Sequence, residues 1–311
     1  MPQTTLVDKL ESCSQHCREL LAESEVGLDV EGVALCRTGE VGLVQVCTAA
    51  ADVLLFDIAT LGHAAFTIGG LKAVLEADSI CKVVFDGRAD ADALYHIHGV
   101  LLRNAYDLQV HHSLRYSDPN DRYVKGLQHC LNDAGVVPVE DRADVERIKE
   151  SGKRLFAQEL GGQRDIWLQR PMLDLLCDYA AVDVRYLLAV RRAWAGPATS
   201  TVLSLTRDRL QGAIAGSRPA RGEHMSVRDF SLGKSACYLG HDPAPQSCYN
   251  ARLQPLLCHP PELHSQHDFI DDFDDFDHTD TLYSGCHSAY DDFDDGRYSF
   301  PDGSETSVKA W

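Results

Sequence analysis

Four apolar runs crowd into residues 26–58: VGLDVEG (26–32), VALCR (33–37), GLVQVC (42–47) and VLLFDI (53–58). Each is short, aliphatic and punctuated by glycine at Gly32, Gly39 or Gly42, so the pattern predicts consecutive strands rather than helices. The rest of the chain alternates. LKAVLEA (71–77) reads as a short helix, KVVFD (82–86) as a buried strand and ADADALYHIH (89–98) as a helix. AYDLQVHHSL (105–114) starts extended and turns helical, and RADVERIKESGKRLFAQEL (142–160) is built of helix formers with mixed charge. PMLDLLCDYAAVDVRYLLAVRRAW (171–194) is the strongest helix, with proline at its start, where a missing N–H is harmless. Strands first, then βα units, then terminal helices indicate an α/β fold with a mixed sheet flanked by helices.

Charge divides the chain in two. The net charge of −18 splits into −7 over residues 1–220 and −11 over residues 221–311. Eleven aspartates alternate with aromatics from Asp268 to Asp295, after a stretch broken by Pro243, Pro245, Pro255, Pro260 and Pro261. A like-charge block of this kind buries too little surface to offset chain ordering. The reading is one globular domain over 10–215 and a disordered acidic tail over 222–311, a segment available to a protein partner. The start MPQTTLVDKL has no apolar stretch and no run approaches 18 apolar residues, which argues against a signal peptide and a membrane span. The 11 cysteines follow no framework spacing. These features point to an intracellular protein, cytoplasmic or nuclear, that is not secreted. Overall acidity argues against passive, charge-driven nucleic-acid binding, but not against a local basic groove. Between Val184 and Gly222, seven arginines face a single acid, Asp208.

The carboxylates carry the chemical information. Asp29 and Glu31 are two apart on the first strand and share a face, with Leu28 and Val30 pointing the other way. Such a pair is costly unless something cationic lies between its members. Tyr179 and Asp183 are four apart and share a helix face. Asp90 opens a helix directly after KVVFD, where it also suits a capping role. Taken singly, these read more readily as solvated strand-end acids, a surface Tyr–Asp pair and a helix cap. Cys13 and Cys17 lack a second ligand pair for zinc, and adjacent His111 and His112 diverge on a helix.

Taken together, the ordered set has a counterpart. GLDVEG followed by LVQV, then KVVFDGRADADAL, then WLQRPMLDLLCDYAAVDVRYL, resembles the DEDDy branch of the DnaQ-like 3′→5′ exonucleases, nearest to RNase D-like and Werner-type domains. The likeness covers about residues 20–195 and implies a ribonuclease H-like fold. It implies a metal-dependent 3′→5′ exonuclease acting on single-stranded RNA or DNA, with RNA favoured, through two divalent ions, Mg²⁺ or Mn²⁺. Asp29, Glu31, Asp90 and Asp183 would be the metal ligands, with Asp29 bridging. Tyr179 would orient the nucleophilic water, since an unperturbed phenol is a poor base at neutral pH. Arg88 and Arg170, beside the motifs, and Arg185, Arg191 and Arg192, from the basic segment, would contact phosphates. Phe85 departs from the histidine that RNase D-like proteins often carry there. EVGLDVEGVALCRTGEVGLVQV also resembles the subgroup containing Egalitarian and exonuclease-domain proteins of the piRNA pathway. Members of that subgroup can act as RNA-binding adaptors, so a non-catalytic or weakly catalytic adaptor is the rival reading.

Overall fold

The computed structural model describes residues 3–117 and 121–230. Its strands are β1 (Thr4–Val7), β2 (Glu25–Val33), β3 (Glu40–Cys47), β4 (Val53–Asp57), β5 (Cys81–Val84) and β6 (Ala105–Asp107). They form one sheet in the order β1-β4-β3-β2-β5-β6. β3 runs antiparallel to β2 and β4, whereas β1–β4, β2–β5 and β5–β6 are parallel pairs, so the sheet is mixed as expected. The helices in chain order are α1 (Leu10–Leu20), α2 (Ile58–Leu61), α3 (Ala64–Thr67), α4 (Leu71–Glu76), α5 (Arg88–His98), α6 (Leu108–Tyr116), α7 (Leu127–Ala134), α8 (Arg142–Phe156), α9 (Asp174–Arg185), α10 (Leu187–Ala193) and α11 (Thr199–Ala215). Among the described residues, no helix is long and apolar enough to cross a membrane.

Alternation along the strands builds a core on each face of the sheet. Leu28, Val30, Val44 and Val46 bury against α1, α4 and α5 residues such as Cys17, Leu71 and Leu94. Leu43, Cys47, Leu55 and Val83 bury on the opposite side with Leu176, Tyr179 and Leu187. Covered on both faces, β2 is buried from Val26 to Glu31.

Several elements depart from the sequence reading. VALCR (33–37) is not a separate strand. β2 continues to Val33, and Ala34 takes a left-handed φ of 50° to begin the return into β3. Gly39 closes that return, because a Cβ there would lie 2.1 Å from the Ala34 carbonyl oxygen. The helix expected over 171–194 begins at Asp174 rather than Pro171 and is divided into α9 and α10 at Tyr186. β1 lies outside the expected 10–215 boundary yet completes an edge of the sheet beside β4.

The other boundary also moves. Residues 222–230, assigned to the tail, pack on the domain, while residues 231–311 lie outside the described residues. The reason is electrostatic. Buried Arg88, at the start of α5, donates to Asp86 Oδ1 at 2.6 Å and to Asp229 Oδ2 at 3.0 Å. Arg209 of α11 donates to Asp107 Oδ2 at 2.6 Å, to Gln109 Oε1 at 2.6 Å and to Asp229 Oδ1 at 2.8 Å. Asp229 thus completes the counter-charge of two buried guanidiniums, and the Val124 N–H donates to the Ser226 carbonyl at 3.0 Å alongside. The Asp107 carboxylate, fully buried, also accepts from the Asp86 N–H at 2.9 Å. Removing one member of such a buried cluster leaves its partners as uncompensated charges, typically a loss of about 3–5 kcal/mol. Arg209→Met is therefore expected to lower stability by about that amount, read as a shift of the urea midpoint at unchanged m-value.

Candidate active site

Two elements bring the acidic residues together. β2, hydrogen-bonded on both sides, holds Asp29 and Glu31 on the face opposite Leu28 and Val30. α9 packs on that face and carries Tyr179 and Asp183 one turn apart. Carboxylate oxygens of Asp29, Glu31 and Asp183 all lie within 4.8 Å of one another. All three side chains are largely buried, at 5%, 9% and 6% residue exposure, so their mutual repulsion is poorly screened. Asp90 stands apart from this trio. It is fully buried in the first turn of α5, downstream of the Asp86–Arg88 ion pair.

The carboxylate arrangement suits a hard divalent cation, which takes carboxylate oxygens as ligands. Asp183 Oδ2 is buried and makes no hydrogen bond among the described residues, leaving a lone-pair-bearing oxygen beside Asp29 and Glu31. Gln45 lies directly opposite Asp29 on β3, fully buried, and neither its amide oxygen nor its amide nitrogen finds a hydrogen-bond partner there. It belongs to the LVQV run, and its central position on the buried strand is the signal that marks it.

Tyr179 is buried between Phe156 and Trp167, with ring centroids 5.2 and 6.1 Å away. Burial pushes its phenol well above the ordinary value, against the opposing charge of Lys149, so the hydroxyl keeps its proton at neutral pH. α8 packs closely on α9 because position 152 is glycine: a Cβ there would sit 2.4 Å from Tyr179 Cδ2. That approach delivers a residue the sequence reading missed. Lys149, one turn before Gly152, donates from Nζ to Asp183 Oδ1 at 2.5 Å and lies 3.6 Å from the Tyr179 ring centroid. The signal was present in the spacing. Val145, Lys149, Gly152 and Phe156 recur at intervals of four, three and four, the inward stripe of an amphipathic helix, with a lysine where an apolar residue belongs.

The five arginines expected at phosphates are held by the domain itself. Arg88 is 3% exposed and committed to Asp86, Asp229 and the Met225 carbonyl. Arg170 donates from Nε to Asp57 Oδ2 at 2.7 Å, pairs with Asp57 Oδ1 through Nη2, and also reaches the carbonyls of Trp167 and Gln169. Arg185 donates to Thr4 Oγ1 at 2.9 Å, and Arg191 and Arg192 both pair with Glu25. Four of the five thus meet acids of the domain, Asp86, Asp229, Asp57 or Glu25, and Arg185 meets a hydroxyl. None of the five is brought to the carboxylate trio by the contacts it makes.

His111 and His112 diverge as expected. His111 Nδ1 hydrogen-bonds the Tyr106 hydroxyl at 2.8 Å, and His112 Nε2 meets Asp133 Oδ2 at 2.7 Å. His129 Nε2 lies 3.4 Å from the same Asp133 oxygen, making a second His/Asp group that joins α6 to α7. The seven cysteines among the described residues are all free, in keeping with scattered apolar thiols.

Comparison with known proteins agrees with this geometry. The family model described as 3′-5′ exonuclease matches residues 4–134. The piRNA biogenesis protein EXD1 of Mus musculus is 30% identical over 224 residues, covering 67% of this chain and 37% of that protein. EXD1 of Homo sapiens is 29% identical over 219 residues, covering 67% and 41%. The chain therefore spans about two fifths of the length of these curated relatives. Among solved structures, Trypanosoma brucei RNase D in complex with RNA U12 superposes with a TM-score of 0.58 at 25% identity, over 71% of this chain and 74% of that one. The mixed sheet with flanking helices is thus the ribonuclease H-like fold of RNase D.

The Arg170–Asp57 pair makes a pH-dependent prediction. Although burial opposes it, the Arg170 guanidinium and the Thr60 hydroxyl and N–H hold the Asp57 carboxyl below the usual range. A depressed folded value contributes stability that is complete above the unfolded carboxyl value near ~3.9 and is lost as pH falls through the folded one. Arg170→Met is expected to lose about 1.5–3 kcal/mol at pH 7, with the gap to wild type narrowing below about pH 4 in urea denaturation.

Proposed function

The chain carries a DnaQ-like 3′→5′ exonuclease domain, homologous to EXD1 and structurally to RNase D, and from that premise we propose that it is a metal-dependent 3′→5′ exonuclease of single-stranded nucleic acid, RNA before DNA. The observation that carries this reading is the convergence of Asp29, Glu31 and Asp183 within 4.8 Å on the buried face below Tyr179. Three like charges held this close have an electrostatic purpose when cations join them. RNA is favoured because the RNase D of T. brucei, which superposes over most of the domain, is in complex with RNA.

In this reading Asp29, Glu31 and Asp183 would hold divalent metal, with Asp90 of α5 as a further carboxylate for it. The ions, Mg²⁺ or Mn²⁺, would supply an activated water and charge stabilisation at the leaving 3′-oxygen. The chain's own groups do the rest. Tyr179, protonated and fixed by its aromatic neighbours, offers an O–H that orients the attacking water rather than removing its proton. β2 cannot shift either acid without disturbing its ladder to β3, where Asp29 is opposite Gln45 and Glu31 opposite Leu43. The ligands are therefore held in place before substrate arrives, as a preorganised electrostatic site requires. An adaptor role, in which the same cleft holds RNA without cutting it, is the second reading. The ion pair that commits Asp183 to Lys149 favours it.

Incubating the full chain with 3′-end-intact single-stranded RNA and DNA separates the two. Shortening from the 3′ end in Mn²⁺ or Mg²⁺ is expected, RNA faster than DNA, falling to the EDTA level in Asp29→Ala and Asp183→Ala. RNA bound tightly but never shortened in any metal would replace the enzyme with the adaptor.

A further inference from the structure

Lys149 is in direct contact with a member of the carboxylate trio, and its setting is unusual. A lysine ammonium gives up strong hydration on burial, and proteins seldom accept that loss without a paired charge. Here the pairing is double. Nζ donates to Asp183 Oδ1 at 2.5 Å, and the same atom lies over the Tyr179 ring at 3.6 Å from its centroid, within cation–π range. The side chain is only 17% exposed and that of Asp183 only 7%. The contact is built into the helix packing, because Gly152 lets α8 approach the Tyr179 ring and Lys149 lies three residues earlier on the same face.

A protein cation therefore already neutralises one of the three carboxylates that the functional reading assigns to a metal. We propose that Lys149 is an internal competitor for Asp183, so that a divalent ion enters the Asp29–Glu31–Asp183 cluster by exchange with the Lys149 ammonium. The inference rests on the metal site of the proposed function and adds a consequence for its strength. An ion binding beside Asp29 and Glu31 meets a third ligand whose charge is cancelled, and loading must displace Lys149 from Asp183 or leave Asp183 a weakened donor. Either way the ammonium holds down metal affinity. The exchange also couples the metal to Tyr179, since the group that leaves Asp183 is the one resting on the phenol ring.

Mn²⁺ binding provides a readout independent of turnover. The full chain, stripped with EDTA, is titrated with Mn²⁺ while free ion is followed by electron paramagnetic resonance, and melting is recorded with and without the ion. Lys149→Met is expected to bind Mn²⁺ at least ten-fold more tightly than wild type. It should melt lower than wild type without metal, because Asp183 loses its partner, and gain more from Mn²⁺ than wild type gains. Lys149→Gln keeps a hydrogen bond to Asp183 without the charge. It should also bind Mn²⁺ more tightly, which keeps the test valid if the methionine variant fails to fold. Binding that is abolished by Asp29→Asn but unchanged or weakened in the two Lys149 variants would overturn the exchange and leave the metal site standing. Absence of Mn²⁺ binding in wild type and in both Lys149 variants would overturn the metal site itself, and the exchange with it.

Discussion

Three carboxylates within 4.8 Å of one another, nearly out of water, are the arrangement the rest of this domain has to accommodate. Unrelieved, such a cluster would push its members apart or force them to take up protons. The structure contains the repulsion mechanically and electrostatically. Mechanically, Asp29 and Glu31 sit on an interior strand paired antiparallel with β3 and, at its start, parallel with β5, with Leu28 and Val30 anchored in the opposite core. Electrostatically, Lys149 is driven down onto Asp183 by a helix packed so closely that only glycine fits at position 152. Sheet topology, two-sided core and the α8–α9 contact thus serve one local requirement.

The same logic recurs away from the site. Asp57, Asp107 and Asp92 are all buried, and each is met by an arginine from a distant part of the chain, Arg170, Arg209 and Arg37, while buried Asp86 is met by Arg88 two residues on. Arginine suits these positions because its planar fork pairs with a carboxylate and still reaches backbone carbonyls, as Arg170 and Arg37 do. Within the basic segment 184–222, Arg209 is taken up in this way by Asp107, and Arg191 and Arg192 by Glu25.

Much of this was legible in the order of residues. The period of two in VGLDVEG placed Asp29 and Glu31 on one face, and the period of four put Tyr179 and Asp183 on another, and these faces meet. Sheet class and the main strands followed from short apolar runs. What sequence did not carry was pairing across distance. Nothing near Arg170 or Arg191 in the chain reveals that Asp57 or Glu25 will be waiting, so these ion pairs were not legible from local charge density. VALCR has the composition of a strand but lacks a partner once β2 runs on to Val33, and the turn takes it instead. Lys149 was visible only to a reading that asks which face of α8 turns inward.

One feature of the periphery bears on how the domain moves. Arg37, in the turn after β2, donates to the carbonyls of Ala213, Ile214 and Gly216, the open end of α11, while its Nε holds Asp92 of α5. Helix ends usually fray because their last carbonyls face only water. Here those carbonyls are capped by a residue more than 170 positions away, and α11 is tied at mid-length to Asp107 and Asp229 through Arg209. The turn at 37, α5 and the end of α11 therefore have no independent way to open. Their amide hydrogens belong to a single cooperative unit, exchanging with solvent together and at a free energy set by the core of the sheet rather than by the chain end.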